Sequence, residues 1–108
     1  MSDLEQYAQG DILLTVILAK DKPKGLRPVV SEQGLLILAR GEATGHHHSV
    51  PASAGVLEID EGGVMYLTID QLTAVEHQEH AAIPLQPKTY RVDRQHEEMF
   101  GHWVRVSD

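Results

Sequence analysis

The stretch LEIDEGGVMYLTI, Leu57 to Ile69, decides the fold class. Leu57 and Ile59 alternate with Glu58 and Asp60; beyond Glu61-Gly62-Gly63, Met65, Leu67 and Ile69 alternate with Tyr66, Thr68 and Asp70. A period of two sends one set of side chains inward and the other outward, and glycines between two such runs turn the chain back on itself. The segment predicts a β-hairpin.

The same reading extends both ways. Upstream, Asp11 to Leu18 is apolar and β-branched, bounded by Gly10 and the Lys20–Gly25 cluster, as expected of a strand buried on both faces. Asp21 to Gly25 reads as a loop, and Leu35 to Ala39 as a second apolar strand. That strand runs past Arg40 and Gly41 into a histidine-rich segment before Pro51 and Gly55 break the chain. Downstream come short strands at Thr73–Glu76 and Ile83–Leu85, a turn at Gln86-Pro87-Lys88, then strands at Thr89–Val92 and Trp103–Val106. The one helical expectation is short and polar, around Asp93 to Met99. Strands at this spacing predict an all-β fold, a small antiparallel β-barrel or sandwich spanning residues 1–108 as one domain.

Composition narrows the function classes. The hydrophobic fraction of 42% is that of a globular protein, whereas aromatics at 5% leave the core to Leu, Ile, Val and Ala. A net charge of −7 with only nine Lys and Arg argues against a nucleic-acid partner, because phosphate binding needs a basic face. Without cysteine there is no disulfide, thiolate zinc site or Cys nucleophile. The run Ile12 to Ala19 is too short to cross a bilayer, and MSDLEQYAQG has no apolar signal core. No membrane partner is expected, and cytoplasm is the default.

Two histidine clusters carry the chemistry. The segment GEATGHHHSV contains His46, His47 and His48, and AVEHQEHAAI contains His77 and His80. On a strand, His46 and His48 share a face about 7 Å apart at Cα, a span two imidazoles can close onto one ion, while His47 points away. The same phase places Glu42 and Thr44 on the ligand face, unless Gly45 marks a bulge. His77 and His80 are three apart, so both turn inward only if the chain bends after Gln78. Five of the seven histidines lie in these two groups, the pattern expected when a β-scaffold folds two segments around one metal ion.

An H-x-H on one strand with another His from a later strand resembles the ligand layout of the cupin superfamily. GDILLTV, GEATGHHHSV, HQEHAAIPLQP and TYRVDRQHEE also resemble the blocks of a small bacterial family of unknown function, with GE-x-TGH-x-H, H-x-EH and YRV-x-RQ segments. The resemblance runs from Gly10 to the end. It implies a cupin-like barrel, metal ligands among His46, His48, His77 and His80, and a homodimer paired through strand edges. The chain departs from the cupin pattern in three places. Ala52 and Ser53 stand where a glutamate ligand is usual, His77 and His80 precede the turn at Pro87 rather than following it, and Lys88 stands where a glycine would be expected.

The expected site is one divalent transition metal on His46, His48 and His80, with His77 the fourth candidate. Imidazole ligation leaves zinc, nickel, iron, manganese and cobalt open and does not suit calcium or magnesium. Three protein ligands and an open position would admit water or a small-molecule substrate, with Glu79 or Glu42 as the acid/base candidate. The alternative is a non-catalytic β-barrel binding or interaction module with surface histidines. His96 is a candidate second-shell group or further metal arm, though a solvated turn explains it as well. Arg91 and Arg94 read either as partners of acidic residues or as an anion clamp at the barrel mouth, and Tyr90 and Trp103 as core or rim aromatics. No G-x-S-x-G, H-E-x-x-H or phosphate-cradling glycine loop is present.

Overall fold

The computed structural model describes residues 5–41, 45–94, 96–99 and 102–105. The described strands are β1 (Gln6–Gln9), β2 (Ile12–Ile17), β3 (Arg27–Pro28), β4 (Leu35–Arg40), β5 (His47–Pro51) and β6 (Gly55–Ile59). They continue with β7 (Met65–Ile69), β8 (Thr73–Val75), β9 (Ile83–Leu85), β10 (Thr89–Arg94), β11 (His96–Met99) and β12 (His102–Arg105). Single 3-10 turns at Ala19–Asp21 and Ala52–Ala54 are the only helical pieces among the described residues. None of the helices there is long and apolar enough to cross a membrane.

The hairpin that opened the sequence reading is β6–β7, with Leu57 opposite Leu67 and Ile59 opposite Met65. Its loop is tied by Asp60, whose Oδ1 accepts the backbone N–H groups of Gly62 at 2.8 Å and Val64 at 2.9 Å. At the other end, a Cβ on Gly55 would stand 2.1 Å from the Thr68 carbonyl oxygen, so only a hydrogen fits there.

This hairpin sits in a six-stranded antiparallel sheet of order β1-β2-β10-β7-β6-β3. The hairpins β4–β5 and β8–β9 form the facing layer. They meet where Ser49 and Glu76 exchange backbone bonds of 3.0 and 2.9 Å. Ile12, Leu14, Leu67 and Tyr90 from the first layer close against Leu36, Leu38, Val50 and Leu85 from the second. The architecture is therefore sandwich-like; the large sheet ends on β1 and β3 instead of closing into a barrel.

Two expectations need correction. The described residues between Asp93 and Met99 are strand, not helix. β10 keeps pairing with β2 through Asp93 opposite Leu13 and Arg94 opposite Ile12, and β11 pairs with β12. A polar segment with no apolar stripe gains nothing from helical winding, so ladder pairing decides. The burial of β2 is uneven: Ile12 and Leu14 are fully inside on one face and Thr15 is 2% exposed on the other, whereas Leu13 and Ile17 beside Thr15 are half-buried.

Candidate metal centre

The two histidine segments are neighbours because the backbone stitches them together. Beyond the Ser49–Glu76 bridge, the His47 N–H donates to Gln78 Oε1 at 2.8 Å. The Gln78 amide nitrogen then faces His47 Nε2 at 3.4 Å. The chain bends over Gln78 to His80, and this brings both later imidazoles toward His48. The His77 ring lies 4.4 Å from that of His48, 4.7 Å from that of His80 and 5.7 Å from that of His46, centre to centre. His80 stacks on His48 at 6.2 Å.

His48 is the anchor, 2% exposed on β5. Opposite it, β4 carries a bulge: Ile37 pairs with Ser49 and Ala39 with His48, leaving Leu38 as the extra residue. The bulge falls on the partner strand, not at Gly45. His48 Nδ1 lies 2.8 Å from Gln9 Oε1. Gln9 donates its amide nitrogen to the carbonyls of Val75 at 3.1 Å and Ala81 at 2.8 Å. An amide so committed has only acceptor capacity left at its oxygen, so His48 Nδ1 carries the proton. Its Nε2 then holds a bare lone pair, 3.3 Å from Asp11 Oδ1. Burial, followed by the charge of His77, pushes the His48 pKa down to about 4 despite the opposing pull of Asp11.

Gly10 makes this convergence sterically feasible. Its φ of +58° sets the turn between β1 and β2. A Cβ there would stand 2.8 Å from His80 Nε2 and 3.1 Å from His48 Cε1, so both rings close over a position that only glycine fills.

The remaining candidates lie farther out. His77 Nδ1 accepts the Glu79 backbone N–H at 3.0 Å, which places the proton of the neutral ring on Nε2. Burial, then His80 and His46, holds its pKa below the usual value. His46 Nδ1 stands 3.7 Å from Glu79 Oε1, and the Glu79 side chain is 67% exposed at the rim. His47 faces away from the cluster toward Gln78. Glu42 is outside the described residues, and the side-chain surroundings of His96 and Trp103 lie outside them too. Tyr90 is in the core, its hydroxyl donating to the Gln86 carbonyl at 2.7 Å.

A family model described as a domain of unknown function (DUF8820) matches residues 8–95. The chain belongs to that family. No curated protein and no solved structure matches it. The DUF8820 segment runs from the end of β1 through β10 and takes in Gln9, Asp11, all four clustered histidines and Arg94.

Gln9 and Asp11 are what the sequence reading missed at this end of the fold, where Arg94 takes the first of its two expected roles, partner of an acidic residue. Arg94 Nε is 3.8 Å from Asp11 Oδ2, and its guanidinium also donates to the Arg40 carbonyl. Arg91 instead pairs with Asp93 at 2.9 Å on the outer face, so the two arginines do not form one clamp. The available signal was Gln9-Gly10-Asp11 itself, two polar residues around a glycine at the mouth of an apolar strand.

Proposed function

We propose that this chain holds one divalent transition-metal ion where His46, His48, His77 and His80 meet at one end of the sandwich. The observation that carries the reading is the state of His48, a buried ring whose Nδ1–H is gripped by Gln9 and whose bare Nε2 faces inward. Metal-binding imidazoles are held in this way, with the distal N–H fixed so that ring orientation and tautomer are set before the ion arrives. The lowered pKa values of His48 and His77 favour the unprotonated form that ligation needs.

Among the described residues, no three His, Cys, Asp or Glu side chains are already arranged to hold an ion. Binding therefore re-aims the rings. His77 ligates through Nδ1 by releasing the Glu79 N–H, or through Nε2 by moving its proton to Nδ1. Ring separations of 4.4 to 6.2 Å are already of the size that two imidazoles on one ion need, so rotation rather than approach is what binding asks of them. Imidazole donors suit zinc, nickel, iron, manganese and cobalt. An ion with an open position would supply Lewis acidity to a bound water or small molecule, with Glu79 at the rim able to exchange protons.

Metal analysis of untagged protein, purified without nickel resin, tests the reading. About one ion per chain is expected, lost in the His46→Ala/His48→Ala variant. Metal-free wild type whose melting temperature zinc does not move would overturn it.

A second reading has one observation in its favour. A cleft of about 420 Å³ is lined by Leu35, His47, Ser49, Glu76, His77 and Gln78, and so shares His77 with the cluster. A small-molecule binder would use this cleft without any ion. Ligand-induced shifts confined to its lining in metal-free protein would favour that reading.

A further inference from the structure

Asp11 stands where no histidine pattern points, yet among the described residues its carboxylate has the closest approach of any acidic group to His48. The contact joins Asp11 Oδ1 and His48 Nε2 at 3.3 Å, with the Asp11 residue only 8% exposed. Gln9 fixes the His48 proton on Nδ1, so this contact sets one lone pair against another. Two buried acceptors face each other stably only with a proton or a metal cation between them. The other oxygen of the same carboxylate is turned to Arg94, 3.8 Å away, and Arg94 is itself tied to the Arg40 carbonyl. The two oxygens therefore have separate partners, and Oδ1 is the one directed at the imidazoles. The positive φ of Gly10 delivers Asp11 to this point directly from the strand that carries Gln9.

We propose that Asp11 is a ligand of the ion, which makes the centre a mixed imidazole–carboxylate site built from the β1–β2 turn, β5 and the His77–His80 bend. Arg94 is a positioning residue that orients the carboxylate. The inference rests on the metal reading above and narrows it. A carboxylate beside imidazoles favours the borderline divalent ions manganese, iron, cobalt and zinc over softer ions such as copper(I).

Cobalt(II) titration of the metal-free full-length chain provides the test, read by its visible absorption bands. The Asp11→Asn variant keeps the shape of the side chain and removes its charge. Expected is binding weakened by at least about tenfold, with a changed cobalt spectrum and an unchanged circular dichroism spectrum. Wild-type protein labelled with carboxyl-13C aspartate covers the case in which that variant does not fold. There, cobalt should shift an aspartate carboxylate stretch in the infrared difference spectrum. Wild type that binds cobalt while Asp11→Asn binds equally well with the same spectrum overturns the role of Asp11 and leaves a histidine-only site standing. An unshifted carboxylate stretch in cobalt-loaded wild type does the same. Wild type that binds no cobalt removes both readings.

Discussion

Gln9 on β1 grips His48 on β5 across the two layers, its amide oxygen 2.8 Å from Nδ1 while its nitrogen bonds the carbonyls of Val75 and Ala81. One side chain thus joins three segments that are far apart in sequence. It satisfies the carbonyls of buried Val75 and of Ala81 and fixes the tautomer of the most buried histidine among the described residues.

Truncating that side chain strands all three partners. Gln9→Ala should destabilise the metal-free protein by about 2–4 kcal/mol, since buried polar groups left unpaired cost more than an average hydrogen bond contributes. Urea unfolding monitored by circular dichroism measures it. A loss within about 0.5 kcal/mol would show that water replaces the amide without penalty.

Acid should weaken the metal-free fold through His48. Its folded pKa of about 4 lies below the unfolded value of about 6.5. Between these values the unfolded chain takes up a proton that the folded chain refuses. Stability is therefore complete above the unfolded pKa, declines as pH falls through this window, and loses nothing further from this residue below about 4. The full loss is on the order of 3 kcal/mol, with His77 acting in the same direction. Denaturation at about pH 7 and about pH 4.5 should differ accordingly, and His48→Gln should remove most of the difference.

Gly55→Ala should be among the most damaging single-methyl changes in the chain. The added carbon meets the Thr68 carbonyl oxygen at 2.1 Å, with Ile69 Cα and the Thr68 carbonyl carbon at 3.1 Å, all backbone that cannot swing aside. A loss of about 1–3 kcal/mol is expected, read as a lower melting temperature. Gly62→Ala is the control, because its nearest neighbour is the Asp60 side chain at 3.5 Å. Equal melting temperatures for the two variants would contradict the close approach.

Gln78→Ala separates site from scaffold. The side chain ties the histidine bend to His47, and Gln78 is an exposed residue outside the hydrophobic core cluster. Zinc affinity should fall about tenfold or more, while unfolding free energy changes by less than about 1 kcal/mol. Isothermal titration beside urea denaturation gives both numbers, and unchanged affinity would mean that the bend holds itself.

The strands were legible where alternation and turn residues agreed, as at Leu57–Ile69, because a half-buried strand writes its two faces directly into the chain. Asp93–Met99 misled because its polar residues carry neither period, and only pairing with β2 and β12 settles it. The meeting of the two histidine segments followed from spacing plus one assumed bend. Gln9 and Asp11 were invisible for a different reason. Their roles depend on which atoms face them across the sandwich, and no local pattern around Gly10 encodes that.

The hairpins β4–β5 and β8–β9 touch along a seam that, among the described residues, has a single bridge, Ser49 to Glu76. His46 and His48 stand on one bank of that seam, His77 and His80 on the other. An ion caught between them would work as a clasp, and stripping it with a chelator would loosen the join first. Amide exchange at Ser49 and Glu76 would then quicken well before the hairpin of Leu57 and Leu67 took notice.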